Sequence, residues 1–274
     1  MRTRTYPSDL TDQQWRLVRH LIPIYPGGWP RKTCTRAVLD AVFYLLRTGC
    51  QWRFLPKDFP PKSTVWRYFN EWRQNGTLEA IHDRLREKVR NQEGRKRTPS
   101  AGSIDSQSVP ATEGGEERGY DANKKVNCRK RHVVVDTLGL LLAVVVTAAS
   151  ADDGAAAPKP LGKVTAEAFP RLRRVWADQK YHNHSLTAWV AANARYEVEV
   201  VRRPDGAKGF VLLPKRWVVE RTFAWLKRCR RLTADREKTT RSSEAMIRLA
   251  MIRLMLHRLR PADDEPDFRY RKVA

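Results

Sequence analysis

Apolar residues in the first ninety positions recur at helical spacing and predict a series of short helices. Thr11 and Gln14 have the spacing of a capping box and mark the start of the first helix. A second helix is predicted from about Thr35, where apolar residues recur every three or four positions, to a stop at Gly49. The N-terminal part of the chain is therefore expected to be all α.

A third helix is predicted over residues 64–74, after a cap at Ser63 or Thr64, and a fourth is predicted to start near Thr77. The third helix carries an aromatic stripe made of Trp66, Tyr68, Phe69 and Trp72. Such a stripe belongs more often to a hydrophobic core than to a surface that stacks on bases. The functional alternative is a helix-turn-helix-like unit in which this helix contacts DNA.

After a basic stretch at 90–100 the periodicity changes, and strands alternate with helices. Strands are predicted at 103–109, 132–137, 140–147, 173–178 and 196–201. Helices are predicted at about 153–169, 185–194, 216–229 and 243–259. Three strands in a meander, followed by alternating helices and strands, indicate an α/β fold with a mixed sheet in the ribonuclease-H-like order. This fold class alone gives no function.

The same change of pattern predicts the domain organisation. A chain of 274 residues is long enough for one catalytic domain and one smaller domain. We expect a helical, helix-turn-helix-like DNA-binding domain at 1–92, a basic linker at 93–100 and a ribonuclease-H-like catalytic domain at 101–260. The charged residues at 261–274 are expected to form a mobile tail.

The chain is strongly basic, since 53 Lys and Arg residues against 30 Asp and Glu residues give a net charge of +23. Such a surplus favours an anionic partner, either nucleic acid or an anionic membrane surface. The membrane is disfavoured because the longest apolar run, at 138–149, is too short to span a bilayer, and no segment is basic on one face and uniformly apolar on the other. The first ten residues carry no apolar export signal, so a cytoplasmic location is expected.

Two aspartates lie in or beside predicted buried strands. Asp105 stands between Ile104 and Val109 in the first strand, and Asp178 ends the strand that contains Val175. An ionised carboxylate in such a place is costly unless it is paired or bound to a metal ion. Because arginine is plentiful in this chain, a structural salt bridge is an open alternative for each aspartate alone.

A third acid, Glu220, stands alone among cations on a predicted helix. Positions 215–231 hold seven basic residues and this single acid. Arg216 precedes Glu220 by four positions and Lys227 follows it by seven, which places all three on one helix face. One interpretation is an exposed ion pair of small energetic effect. The other is a carboxylate that joins the two aspartates as ligands of two divalent ions, with nearby cations to hold a phosphodiester.

Several motifs along the chain resemble those of a known family. They are Ile104-Asp105-Ser106-Gln107-Ser108-Val109, Gly119-Tyr120-Asp121-Ala122 leading to Arg129-Lys130-Arg131-His132, Val135-Asp136-Thr137-Leu138-Gly139, Trp176-Ala177-Asp178 with Tyr181, Arg202-Arg203-Pro204, and above all Arg216-Trp217-Val218-Val219-Glu220-Arg221-Thr222-Phe223-Ala224-Trp225-Leu226. The chain resembles the DDE transposases of bacterial insertion sequences, in the branch that includes the insertion-sequence-five family. This resemblance covers most of the chain.

The family signature Tyr-x2-Arg-x3-Glu-x6-Lys is matched in register by Arg216, Glu220 and Lys227. Its tyrosine position falls on Leu213 in this chain. A second departure lies farther on, where Arg236 replaces an aromatic residue in an Asp-x-Glu stretch. Neither departure affects the three acids.

The resemblance implies that Asp105, Asp178 and Glu220 form a catalytic triad and act as metal ligands. The implied cofactor is Mg²⁺, as two ions, with Mn²⁺ as a substitute. The resemblance further implies that Arg216 and Lys227 grip the DNA backbone near the cleaved end. The implied reaction is metal-dependent cleavage at terminal inverted repeats, followed by attack of the freed 3′-hydroxyl on target DNA.

Further DNA contacts are expected from basic residues of the N-terminal part. The candidates are Arg67 and Arg73 in the third helix and Arg95, Lys96 and Arg97 in the linker. These residues are expected to contact phosphates more than bases. The alternative for such a run of charges is a solvated surface without a ligand.

The expected partners are double-stranded DNA, as terminal inverted repeats and as target, and a second copy of the chain, because two ends must be paired. A membrane and a small-molecule substrate are not expected, and the expected location is the nucleoid within a bacterial cytoplasm. Two alternatives stay open. One is a DNA-binding regulator derived from a transposase, with an idle triad, and the other is a ribonuclease-H-like nuclease without strand transfer.

Overall fold

Helices form the N-terminal part of the chain in the computed structural model, which describes residues 4–23, 33–112, 114–122, 125–201 and 215–262. They are α1 (Asp12–Val18), α2 (Thr35–Thr48), α3 (Lys62–Gln74) and α4 (Thr77–Gln92). The predicted capping box of Thr11 and Gln14 at the start of α1 is confirmed. The predicted stop at Gly49 is also confirmed, since this residue has a left-handed backbone with φ of 74° and donates its N–H to Leu45.

The start of α3 differs from its prediction. We expected a cap at Ser63 or Thr64, but the helix begins at Lys62, directly after Pro61, and has no side-chain cap. Pro61 occupies the N-cap position, so Ser63 and Thr64 lie inside the first turn of the helix and neither is its cap residue. The helix-turn-helix-like character of this part stays a prediction.

The C-terminal part is built on one mixed sheet. Its strands are β1 (Ala101–Pro110), β2 (Gly119–Asp121), β3 (Val126–Asp136), β4 (Leu141–Ala148), β5 (Arg174–Ala177) and β6 (Glu197–Val200). β1, β3 and β4 form an antiparallel meander, whereas β5 pairs in parallel with β1 and β6 pairs in parallel with β5. The predicted mixed sheet is confirmed, and its order is consistent with the ribonuclease-H-like arrangement. The short β2, which pairs with the start of β3, was not predicted.

The helices of the C-terminal part are α5 (Asp153–Ala156), α6 (Pro158–Gly162), α7 (His184–Asn193), α8 (Trp217–Lys227) and α9 (Thr240–Leu259). The last three lie close to their predicted positions. The prediction of one helix at 153–169 was wrong, because two short helices end by residue 162. Pro158 and Pro160 lack a backbone N–H and therefore prevent one continuous helix through this segment.

One apolar cluster joins the N-terminal helices to the sheet through α9. This helix packs against α4, α2, α1 and α3, and it also packs against β4. Val133 and Val135 of β3 belong to this cluster, while Val134 belongs to a second cluster with α6 and α7 on the opposite face. The helices of residues 1–92 therefore share a core with the sheet, and the predicted division into domains stays a prediction.

A buried ion pair ties α4 to the turn between β3 and β4. Arg90 donates to Asp136, whose side chain is 0% exposed. The other carboxylate oxygen of Asp136 accepts two backbone N–H groups of the turn, both at 2.9 Å. Helix α8 rests on the same turn, since the Thr222 hydroxyl donates to the Gly139 carbonyl at 2.9 Å. This turn therefore helps to place α8 against the sheet.

The Asp-x-Glu stretch that departs from the family pattern lies in a buried network of charges. Arg129 donates to Asp235 at 3.1 Å, and Arg231 donates to Glu237 at 2.7 Å. The side chains of Arg129 and Asp235 are each 1% exposed. Arg236 lies between the two acids and is exposed, so the replacement of an aromatic residue there leaves the network intact.

The packing of α8 on its turn predicts a loss of stability for Gly139→Ala. Gly139 has φ of +78°, and an added Cβ would lie 2.8 Å from Thr222 Oγ1 and 2.8 Å from the Trp225 ring. The change therefore combines backbone strain of about 1–2 kcal/mol with overpacking of about 1–3 kcal/mol. Thermal melting of the full chain measures the sum.

Gly76→Ala is the matched control for this prediction. Gly76 also has φ of +78°, but a Cβ there meets nothing within 4 Å. We expect Gly76→Ala to show the backbone strain alone and to lower the melting temperature less than Gly139→Ala. Equal losses in the two variants would contradict close packing between α8 and the turn.

Candidate active site

Two neighbouring parallel strands, β1 and β5, bring Asp105 and Asp178 next to each other. Ser103 of β1 is in register with Trp176 of β5, and each aspartate lies two residues beyond its member of that pair. The side chains of Asp105 and Asp178 are 17% and 20% exposed. The structure thus brings together two of the three acids that the sequence predicts for the site.

Arg216 lies between these two carboxylates. Its Nη2 is 3.3 Å from Asp105 Oδ2 and 3.6 Å from Asp178 Oδ2. Arg216 is buried at 8% exposure and directly precedes α8, so the start of that helix is anchored at the acids. Because one guanidinium nitrogen serves both carboxylates, the site is already arranged around a positive charge.

Each of the two aspartates also accepts a backbone N–H from the chain just after it. Ser106 N–H donates to Asp105 Oδ1 at 2.7 Å, and Lys180 N–H donates to Asp178 Oδ1 at 2.9 Å. Burial raises the pKa of Asp105 to about 6, with the Ser106 N–H and Arg216 acting against it and the charges of Asp178 and Asp153 acting with it. Asp105 is therefore a carboxylate whose negative charge is only partly compensated.

Glu220 lies on α8, one helical turn after Arg216, and it is exposed. Across the described ranges, no group of three or more His, Cys, Asp or Glu residues lies close enough to hold a metal ion. The donor set of Asp105 and Asp178 nevertheless fits a hard divalent cation, because two carboxylates converge on one cationic nitrogen. The role of Glu220 as the third ligand stays a prediction.

Asp153, the first residue of α5, is a further acid beside the site that the sequence did not single out. Its carboxylate accepts from Ser106 Oγ at 2.6 Å and lies 3.1 Å from Lys130 Nζ. Burial raises the pKa of Asp153, but hydrogen bonds from Ser106 and Lys130 and the charges of Lys130 and Lys180 outweigh this effect and lower it. In the sequence, Asp153 appeared only as the start of an Ala-rich helix.

The phenol of Tyr181 is buried beside the same acids. Burial is the main cause of a raised pKa of Tyr181, and the charges of Asp105, Asp153 and Asp178 raise it further. Tyr181 therefore keeps its proton at neutral pH and offers a hydroxyl to the site. The family resemblance had included this tyrosine, but without a chemical role.

The predicted DNA-contacting residues away from the acids lie mostly at the surface. Lys227, the last residue of α8, is exposed, as are Arg67, Arg95 and Lys96. Arg97 is exposed as well and donates to a carboxylate of α4, Glu87, at 2.8 Å.

Arg73 is half-buried and donates to Asn70 within α3. Of the aromatic residues in that helix, Tyr68, Phe69 and Trp72 are buried, whereas Trp66 is 52% exposed. The stripe therefore belongs mainly to the core, as the first interpretation held.

Some predicted features lie outside the described residues. These are Arg202-Arg203-Pro204, Leu213 at the tyrosine position, and residues 263–274 of the expected tail. Within the described ranges, no helix combines the length and the apolar character needed to cross a lipid bilayer.

The raised pKa of Asp105 predicts that Asp105→Asn raises the melting temperature near pH 7 in buffer without divalent cations. The pKa of about 6 in the folded chain lies above the ordinary value of 3.8. As pH rises from about 4 to about 6, the unfolded chain releases this proton first, so stability falls across that window. Asparagine has no proton to release in this range, so the variant does not undergo this loss of stability.

The gain should therefore grow from near pH 4 to near pH 6 and stay constant above that range. Melting curves of both chains at several pH values within and above the window measure it. A variant that melts below the wild type near pH 7 would show that the Asp105 charge stabilises the fold.

The chain matches the sequence models of two known families. Residues 96–255 match the family described as Transposase DDE domain, and residues 10–82 match a family described as transposase of the IS4/5 family. The first match covers more than half of the 274 residues and includes Asp105, Asp178 and Glu220.

Two curated proteins of Burkholderia cepacia are similar to this chain. It is 31% identical over 140 residues to the protein described as the transposase for insertion sequence element IS402. This match covers 49% of this chain and 65% of that protein. It is 29% identical over 119 residues to an uncharacterised 16.2 kDa protein of IS402. This match covers 40% of this chain and 78% of that protein. The chain thus spans slightly less than two thirds of the IS402 transposase.

Solved structures of transposases are also similar at a lower level. The piggyBac transposase synaptic complex with hairpin DNA has 11% identity and a TM-score of 0.37, and the match covers 72% of this chain and 51% of that chain. A pre-cleavage Mos1 transpososome has 11% identity and a TM-score of 0.32, and the match covers 86% and 79%. At TM-scores below 0.5, neither likeness supports a conclusion about the site.

Proposed function

Because the chain belongs to the family of transposases with a DDE domain, we propose that it cuts DNA at the terminal inverted repeats of an insertion sequence and transfers the freed 3′-hydroxyl end to target DNA. The observation that carries this proposal is the convergence of Asp105 and Asp178 on the guanidinium of Arg216. Carboxylates from two neighbouring strands, placed around one cation, suit the chemistry of phosphodiester cleavage.

Asp105, Asp178 and Glu220 would hold the divalent ions, Mg²⁺ or Mn²⁺ as a substitute. Two such ions supply Lewis-acid activation of water and of the 3′-hydroxyl when they are bound. The chain itself fixes the direction of the carboxylates, since backbone N–H groups hold one oxygen of Asp105 and one of Asp178. The other carboxylate oxygen of each aspartate, Oδ2, faces the guanidinium of Arg216.

The basic surface would bind the DNA. The net charge of +23 favours phosphate contacts, and exposed Lys227 lies on the same helix as Glu220. Arg67 and Arg73 of α3, together with Arg95, Lys96 and Arg97, would contact phosphates farther along the duplex. Two copies of the chain would pair the two ends of the element.

The test uses the full chain with a labelled duplex that carries one end of the element and its natural flanking sequence. In Mg²⁺ we expect a nick that leaves a 3′-hydroxyl at the element end, and no nick when the ion is removed by a chelator. A pre-cut end mixed with a second duplex should then yield a joined product. A duplex with a scrambled end serves as the control for sequence preference.

The alternatives give different products. Cutting without joining of a pre-cut end would replace the proposal by a nuclease without strand transfer. Specific binding without any nick in Mg²⁺ or Mn²⁺ would replace it by a DNA-binding regulator with an idle triad.

A further inference from the structure

Asp153 contacts the two residues that hold the candidate catalytic aspartates. Its side chain is 8% exposed and lies at the start of α5, five residues after the end of β4. Ser106 Oγ donates to Asp153 Oδ1 at 2.6 Å, and Lys180 Nζ lies 3.7 Å from Asp153 Oδ2. One buried carboxylate therefore contacts the residue that follows Asp105 in β1 and the second residue after Asp178.

The same two residues bind the aspartates through their backbone. Ser106 N–H donates to Asp105 Oδ1 at 2.7 Å, and Lys180 N–H donates to Asp178 Oδ1 at 2.9 Å. Each residue thus connects Asp153 to one aspartate, with its side chain at one end and its N–H at the other. The two connections differ in strength, since the Ser106 hydroxyl makes a hydrogen bond of 2.6 Å with Asp153, whereas Nζ of the exposed Lys180 lies 3.7 Å away.

We propose that Asp153 is a positioning residue that fixes Asp105 and Asp178 relative to each other through Ser106 and Lys180. This inference rests on the proposed function, because it gives Asp153 a part in the same site. Lys130, with its Nζ 3.1 Å from Asp153, supplies a counter-charge. The Lys130 charge therefore stabilises the ionised form of Asp153, which can act as an anchor.

The arrangement has a clear mechanical consequence. Without Asp153, the Ser106 hydroxyl loses its acceptor and Lys180 loses its nearby anion, so the residues beside Asp105 and Asp178 are held less firmly. Groups that orient metal ligands typically change metal affinity by about 10–100-fold when they are lost. A displacement of about 1 Å at a reacting centre costs roughly 100-fold in rate.

The first measurement is Mn²⁺ binding to the full chain without DNA, followed by electron paramagnetic resonance. We expect Asp153→Ala to weaken Mn²⁺ binding by about 10-fold or more. Asp152→Ala is the matched control, since Asp152 is the exposed neighbour that caps α5 by accepting Ala155 N–H at 2.9 Å. This control loosens the helix start but keeps the contacts of Asp153, and we expect Mn²⁺ binding close to that of the wild type.

The second measurement is single-turnover cleavage of the element-end duplex. We expect Asp153→Ala to cut roughly 100-fold more slowly. Asp153→Asn keeps an oxygen that accepts from Ser106 and should recover part of this loss. The double variant that combines Ser106→Ala with Asp153→Ala should cut no more slowly than the slower of the two single variants. Both changes break the same Ser106–Asp153 hydrogen bond.

The outcomes separate this inference from the proposed function. Wild-type Mn²⁺ affinity in Asp153→Ala, or an equal loss in Asp152→Ala, overturns the positioning role. A wild-type chain that binds Mn²⁺ but cuts no DNA overturns the proposed function, and the Mn²⁺ affinities alone then decide the role of Asp153. A wild-type chain that binds no Mn²⁺ overturns both.

Discussion

Asp105→Ala, Asp178→Ala and Glu220→Ala each abolish metal-dependent cleavage of the element end while leaving DNA binding nearly intact. Each change removes one carboxylate from the proposed metal site, and the ions there are expected to contribute several kcal/mol to transition-state stabilisation. At 1.36 kcal/mol for each factor of ten, the rate should fall by at least about 1000-fold. Single-turnover cleavage and a binding titration on the same preparations measure the two properties separately.

Glu197→Ala is the control for these three variants. Glu197 is an exposed acid of β6, and its Oε2 lies 3.7 Å from Arg174 Nη2. It belongs to the same sheet as Asp105 but is not one of the three proposed metal ligands. Its replacement changes the net charge by the same amount and should leave cleavage unchanged. Cutting at the wild-type rate by any one triad variant would remove that residue from the site, and Glu220 faces the most severe test because it is exposed.

Five of the six described strands and the first two acids could be predicted from the sequence because their signals are local. Apolar residues beside Asp105 and before Asp178 predict buried strands, and the parallel pairing of these strands places the two acids next to each other. For Glu220, the surrounding cations left both an exposed ion pair and a metal ligand open, and the family signature favoured the metal ligand. Whether Glu220 reaches the two aspartates depends on how α8 docks, which helical spacing does not determine.

Asp153 and the shared core could not be predicted because they depend on contacts between distant segments. Asp153 meets Ser106 across 47 positions, and no periodicity links the two. The apolar face of α9 predicts that the helix is buried, but not that it packs on α4 and β4 at once. The wrong prediction of one helix at 153–169 has a local cause. The alanine-rich composition of this segment favours a helix, but Pro158 and Pro160 interrupt it.

Arg216→Ala and Lys227→Ala are expected to separate folding from chemistry at the two ends of α8. Arg216 is buried and contacts Asp105 and Asp178, so its loss leaves two neighbouring carboxylates without their cation. Removal of one partner from a fully buried pair costs about 3–5 kcal/mol. Here the cost should be on the order of 2 kcal/mol, because Asp105 can take up a proton. A loss of that size lowers the melting temperature by roughly 4–8 °C.

Lys227 is exposed at the other end of α8, two helical turns beyond Glu220 and too far for a close ion pair with it. Lys227→Ala should therefore melt within a degree or two of the wild type, since surface changes usually cost within about 0.5 kcal/mol. If Lys227 holds the DNA backbone near the cleaved end, its loss slows cleavage and joining while the fold is kept. Thermal melting and single-turnover cleavage of both variants, with Arg216→Lys as the charge-conserving comparison, test this division. If Lys227→Ala melts at a much lower temperature but cleaves at a near-normal rate, Lys227 is structural. If Arg216→Ala melts at the wild-type temperature, the contacts of Arg216 with the two aspartates contribute nothing to the stability of the fold.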